Sequence, residues 1–251
     1  IYSDPWFLKA ILGGTPTDVT TTYTTHTFTV ANSGITNTLP SMSINAAFAT
    51  NAVSDQNMLG CVANSFTMTA AVGEPIKCKL DGFFSQFAKD TSATSGATLV
   101  NDPMTFAQAS LDFPSATTIA NVQSVDITFN RNAEGVWGLG ARYPNTQLAK
   151  AREWSIKVSL AYQNDTDFFD HTLGSTTVPT TLPAELATCV LTITNGGSTT
   201  ALRSLVITFA NVIVVKQSMP IAVEDMVKMD VELRARTVTS VVATDNTATF
   251  K

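Results

Sequence analysis

The feature that most constrains this chain is period-two alternation, in which apolar and polar residues exchange places at every step. Such a pattern puts one face of an extended strand inside and the other outside. Val125-Asp126-Ile127-Thr128-Phe129-Asn130 alternates without a break. Trp154, Ile156, Val158 and Leu160 alternate with Ser155, Lys157 and Ser159, and Val231, Leu233 and Ala235 with Asp230, Glu232, Arg234 and Arg236. Further strands are expected at about 24–31, 62–70, 75–82, 187–194 and 203–216. Abundant Thr and Val suit the pleated surface. The strands follow one another without helical crossovers, which predicts an antiparallel β-sandwich or partial barrel.

Two hairpins can be given positions. The first folds strands 62–70 and 74–82 around Ala71-Val72-Gly73, and a Met68–Ile76 pairing sets Phe66 opposite Cys78. In that register Cys61 faces the other way, so a Cys61–Cys78 bridge is disfavoured. The second turns at Asn195-Gly196-Gly197, where glycine supplies positive φ. One short helix is expected at Asp167–Leu173, with Asp167 as N-cap and Gly174 as stop. The segment at about 85–105, rich in Ser, Thr, Ala and Gly, reads as a long functional loop. No linker divides the chain, so 1–251 reads as a single domain.

Charged residues make up 14% of the chain, where a soluble domain has about a quarter, while hydrophobic residues reach 44%. The deficit fits a surface covered by other subunits, where charges are depleted; a Thr-rich adhesin would share it. A net charge of −5 lacks the basic stripe of a nucleic-acid grip. The longest apolar run, Val212-Ile213-Val214-Val215, is far short of the ~18 residues needed to span a bilayer, so no membrane partner is expected. The chain begins at Ile1 rather than Met, and a missing or processed N-terminus is the expectation. Three cysteines at 61, 78 and 189 match no metal spacing. Reduced thiols are expected, with Cys78 and Cys189 as small core hydrophobes.

No catalytic constellation emerges. Of the two histidines, His26 lies in a strand-like Thr-His-Thr-Phe-Thr and reads as a half-buried, hydrogen-bonded residue. No Gly-x-Ser-x-Gly elbow is present. Asp165, Asp167, Asp170 and His171 could ligate a divalent ion, but their spacing fails the calcium-loop pattern, and acids at a helix N-terminus are favoured by its dipole alone. Asn164-Asp165-Thr166 is a glycosylation sequon. Gly135-Val136-Trp137-Gly138-Leu139-Gly140 follows a strand without opening a helix, which suits a tight connection better than a phosphate cradle. No cofactor is implied.

Taken as an ordered series, four blocks resemble the tail tube proteins of long-tailed bacterial and archaeal viruses. They are Tyr23–Phe28 with Leu39–Ile44, GCVANSFTMTAAVGEPIKCKLDG at 60–82, SVDITFNRNAEGVWGLGARYPNTQLAKAREWSIKVSL at 124–160, and SLVITFANVIVV at 204–215 leading into IAVEDMVKMDVELRART at 221–237. The resemblance implies a structural protein of the virion tail, not an enzyme. Hexameric rings would close edge to edge and stack into a hollow tube, with tape-measure and tail-end proteins as partners and viral DNA passing without specific binding. Asp126, Asp230 and Glu232 are then candidates for the lumen lining. Arg234, Arg236, Lys89 and Asp90 are candidates for inter-subunit contact. The competing readings are another virion or surface β-sandwich (decoration protein, fibre or pilin-like adhesin) and a carbohydrate-active enzyme or binding module. For the latter, Trp6, Trp137 and Trp154 are the candidate sugar platform, although Trp154 alternates with core residues and is expected inside.

Overall fold

A computed structural model of the chain describes residues 6–13, 16–20, 24–29, 40–46, 56–89, 104–113, 118–148, 150–161, 186–195, 203–219 and 228–245. It opens with helix α1 (Trp6–Leu12). Strands β1 (Thr17–Thr20), β2 (Thr24–Phe28), β3 (Met42–Ala46), β4 (Gln56–Ala71), β5 (Lys77–Phe83), β6 (Gln86–Lys89) and β7 (Ala109–Asp112) follow. Then come β8 (Val122–Asn130), β9 (Glu134–Val136), β10 (Thr146–Leu148), β11 (Glu153–Ala161), β12 (Leu186–Thr194), β13 (Ser204–Ser218) and β14 (Lys228–Asp245). Twelve strands form one sheet whose main path runs β3-β4-β8-β11-β14-β13-β12-β7; β9 and β10 pair separately. The strand pairs are antiparallel throughout.

The alternating residues read from sequence point inward as expected. Val125, Ile127 and Phe129 of β8, Trp154, Ile156, Val158 and Leu160 of β11, and Val231, Leu233 and Ala235 of β14 are all buried. They share one cluster with Phe66 and Met68 of β4, Ile207 and Phe209 of β13 and Leu191 of β12. Strands from both ends of the sheet therefore face a single core, which requires the sheet to curl around it. Trp154 is central: its ring stacks on Phe129 at 3.8 Å and meets Phe209 edge-on at 6.0 Å.

Bulges keep that core side continuous. In β13, Phe209 and Val212 are both buried, three residues apart, and Asn211 between them takes φ +52°; the register shift against β14 falls just before, between Thr208 and Phe209. Asparagine tolerates this left-handed region better than branched residues do. A second bulge sets Asn64 of β4 outside the β5 ladder. Its carbonyl accepts from Arg131 N at 2.8 Å and its Oδ1 from Ala133 N at 2.7 Å, holding the chain where β8 ends.

The first hairpin corrects the expected register. Met68 pairs with Cys78 and Phe66 with Leu80, two residues from the Met68–Ile76 pairing. Pro75 bridges to Thr105, and Ile76 N donates to Met104 O at 2.8 Å. Those two residues are thus engaged outward, and the ladder with β4 begins only at Thr69–Lys77. Cys78 is also corrected: it is exposed, because β5 is an outlying strand with little apolar cover on its surface. Cys189 is buried as expected, and burial, followed by the nearby Asp112 carboxylate, pushes its thiol up to about 12. All three cysteines are free.

A Cβ at Gly82 would overlap the carbonyl oxygen of Val62 on the facing strand, with backbone on both sides. Gly82→Ala is therefore expected to cost about 1–3 kcal/mol through forced backbone movement, seen as a lowered chemical-denaturation midpoint. A wild-type midpoint would show that β5 shifts freely.

The second hairpin pairs Thr194 with Ser204, closed by Asn195 N donating to Arg203 O at 3.0 Å, with its glycines outside the described residues. The helix expected at Asp167–Leu173, the sequon and the acidic segment 164–171 also lie outside them. The α-helix that is described, α1, packs on β4 and β2, with Phe7 stacked on Phe66 at 5.5 Å. Seven residues are too few to hold a helix by themselves, so packing stabilises it. Within the segment read as a loop at 85–105, β6 is a strand paired to the start of β4. The glycine-rich segment forms the β9–β10 hairpin and opens no helix.

Candidate functional site: the polar face of the sheet

The polar positions of β4, β8, β11, β14 and β13 line up in rows across the sheet. One row reads Thr69–Asp126–Lys157–Glu232–Lys216. The next reads Ala71–Ser124–Ser159–Asp230–Ser218, and another Thr67–Thr128–Ser155–Arg234–Ile213. The three carboxylates singled out from sequence, Asp126, Asp230 and Glu232, thus lie on one face, around an open groove of about 330 Å³ shared with Lys157 and Lys216.

The interleaved lysines change the character of this face. Lys157 stands between Asp126 and Glu232 in register. On the polar positions of these strands, the carboxylates Asp126, Glu153, Asp230 and Glu232 meet the cations Lys157, Lys216, Lys228, Arg234 and Arg236, so the face is close to neutral. Lys157 appears in the sequence at a polar position, but only the strand order shows that it separates two acids.

Arg234 finds an acid within its own chain, donating to Glu153 Oε1 at 2.6 Å, with both side chains about half exposed. An exposed pair of this kind contributes little stability. Arg236 lines a second groove, of about 370 Å³, with Arg152, Asn132, Asn211 and Ile213. Lys89 ends β6 and is exposed, far along β4 from these rows. Asp90 lies outside the described residues.

His26 is fully buried rather than half-buried, and its Nδ1 lies 2.8 Å from Asp18 Oδ1 on the adjacent strand β1. That pair ties β1 to β2, and neither residue lines the two grooves of the polar surface. Among the described residues, no group of three or more His, Cys, Asp or Glu side chains is placed to hold a metal ion. No helix among them is long and apolar enough to cross a membrane.

The sheet also has open edges. β12 pairs with β13 only as far as Val212, so among the described residues the edge from Ile213 to Ser218 has β14 alone as neighbour. On that stretch Ile213 and Val215 are exposed, as is the following Met219. Among the described residues, β5 and β6 pair with β4 alone. Unpaired N–H and C=O groups beside exposed apolar side chains are a template for adding another strand.

No curated protein matches the chain. Among solved structures, a chain from the tail of an empty GTA particle with C6 symmetry is 13% identical, covering 51% of this chain and 89% of that one, with a TM-score of 0.32. A likeness at that level adds nothing to the family match. The sequence model of the phage tail tube protein family matches residues 1–235. The chain belongs to the phage tail tube protein family, as a β-rich structural subunit of the virion tail that assembles with its own copies into the tube.

Proposed function

We propose that copies of the chain join edge to edge into hexameric rings, that the rings stack, and that the genome passes through the resulting lumen along the polar face of the sheet. The observation that carries this reading is the five-strand row structure of that face: hydroxyls and balanced charges with no continuous cationic stripe. Each Lys or Arg that neutralises a phosphate releases counterions and adds affinity. Alternating acids keep Lys157 and Lys216 from acting together on one backbone, so DNA slides without being held. The open edges of β13 and of β5–β6 support ring closure, because a heterologous contact repeated around an axis removes them. Tape-measure and tail-end proteins are the further partners of such a tube.

Reversing Asp126 and Glu232 to lysine turns the row Asp126–Lys157–Glu232–Lys216 wholly cationic. Tubes of normal appearance by electron microscopy are expected, with genome delivery slowed most at low salt. Unchanged delivery at low salt would place this face away from the DNA. Purified wild-type subunits that form neither rings nor tubes at any concentration would remove the ring reading itself.

A further inference from the structure

The β9–β10 hairpin presents large apolar side chains in a way that burial inside the subunit does not explain. Leu139 is fully exposed, and Trp137 is 61% exposed. Val136 and Leu148 are also exposed. Single exposed apolar residues are ordinary, but a cluster on one projecting element marks a contact surface.

The hairpin is held in shape. Asn145 N donates to Val136 O at 2.8 Å, and Ala141 N donates to Gly138 O at 3.1 Å. Gly140 takes φ +76°, a conformation that other residues would strain, and the Asn145 amide packs against Gly138 where a Cβ would sit. Its base is fixed to the subunit. Gln147 Nε2 donates to Ser85 Oγ at 3.2 Å, Lys150 pairs with Glu134, and Asn132 Nδ2 donates to Ala151 O at 2.8 Å. Lys150 also holds the Glu134 carboxyl below its usual range. A rigid base and an ordered tip present Trp137 and Leu139 without an ordering cost on contact.

A matching hollow exists on the same subunit. Met42 and Ile44 of β3, Met58 of β4 and Phe83 and Phe84 at the end of β5 line a mainly apolar groove of about 100 Å³, room for one side chain. Phe83, Phe84 and the neighbouring Phe87 are each about 40% exposed, and Phe84 and Phe87 face one another at 6.3 Å. Within one chain the hairpin base touches Ser85 beside this groove, yet Trp137 and Leu139 stay exposed. Knob and hollow are therefore both open on one molecule, the arrangement that a heterologous contact between identical copies requires.

We infer that the β9–β10 hairpin is a plug: Leu139, flanked by Trp137, enters the Met42–Ile44–Met58–Phe83–Phe84 groove of a second copy of this chain. The inference rests on the family's self-assembly and assigns one contact within it. Buried aromatic and aliphatic anchors in a desolvated pocket carry most of an interface's energy. The pairing of Trp137 with an aromatic-lined hollow fits that pattern.

The test uses the full chain. The double substitution Trp137→Ala, Leu139→Ser should raise the concentration needed for assembly by at least about tenfold. The thermal midpoint of the free subunit should stay unchanged, since both residues are solvent-facing there. A benzophenone side chain at position 139, irradiated in assembled tubes of mixed isotopic label, should form adducts between chains on residues 42–44, 58 or 83–84. Wild-type assembly by the double variant overturns the plug, as do adducts confined to one chain or mapped elsewhere, and in each case the tube reading stands. A wild-type chain that never assembles overturns the tube reading instead.

Discussion

Trp154→Ala is expected to lower the thermal midpoint of the free subunit by about 6–20 °C. Removing a buried tryptophan costs about 3–5 kcal/mol, and a chain of this size loses about 2–4 °C per kcal/mol. The high end is favoured by the surroundings. Trp154 is 5% exposed, lies directly opposite Phe129 on β8 and stacks on it at 3.8 Å. Its neighbour on the other side, in β14, is Ala235, which is too small to fill the vacated space. The edge contact to Phe209 is lost as well, so three neighbouring strands and β13 beyond them lose packing around one cavity. The measurement belongs below the assembly concentration, because association stabilises by mass action. A fall under about 3 °C would show that the core repacks around residue 154 and is not organised by it.

Arg131→Met should move the midpoint the other way, by about 1–4 kcal/mol of added stability. Arg131 follows β8 and is fully buried, and among the described residues its Nε, Nη1 and Nη2 have no hydrogen-bond acceptor. A buried cation without acceptors is expensive, and an unbranched apolar side chain of similar length removes that cost. The guanidinium sits against the end of α1, where Gly13 N closes the helix onto Lys9 O and a Cβ on Gly13 would come within 3.1 Å of Nη2. The negative end of the helix dipole offsets only part of the desolvation there.

Burial, with a smaller contribution from Arg152, brings the Arg131 pKa down to about 10 from its ordinary 12.5. The unfolded chain therefore binds this proton more tightly than the native one. The penalty is fully present below about pH 10 and relieved as pH rises from about 10 to 12.5, so this group's contribution to stability increases across that window. The advantage of Arg131→Met over wild type should accordingly be full at about pH 8 and shrink by about pH 11. A methionine variant less stable than wild type at pH 8 would mean that the guanidinium has a favourable acceptor.

Strand existence was legible because period-two alternation is a local consequence of pleating, and β8, β11 and the first half of β14 lie where their alternation puts them. Register was less legible. The first hairpin slips by two residues because Pro75 and Ile76 pair with Met104 and Thr105, a contact between segments about thirty positions apart. A slip of two keeps every side chain on its face, so the alternation carries no warning of it. Helix α1 escaped notice because in Trp6–Leu12 only Lys9 is polar, which leaves no period to read. The exposure of Cys78 had the same origin: burial depends on whether another layer covers β5.

By itself, then, the sequence determined which residues alternate, the low charge that suits a subunit surrounded by its own kind, and the ordered blocks by which the family is recognised. Tertiary structure alone decided that Lys157 stands between Asp126 and Glu232, that Arg234 turns to Glu153, and that Leu139 and an apolar groove are left open on one molecule. The physical reason is the same in each case. Alternation is set by neighbouring residues along the backbone, whereas charge balance, burial and complementarity depend on which strands become neighbours across the sheet.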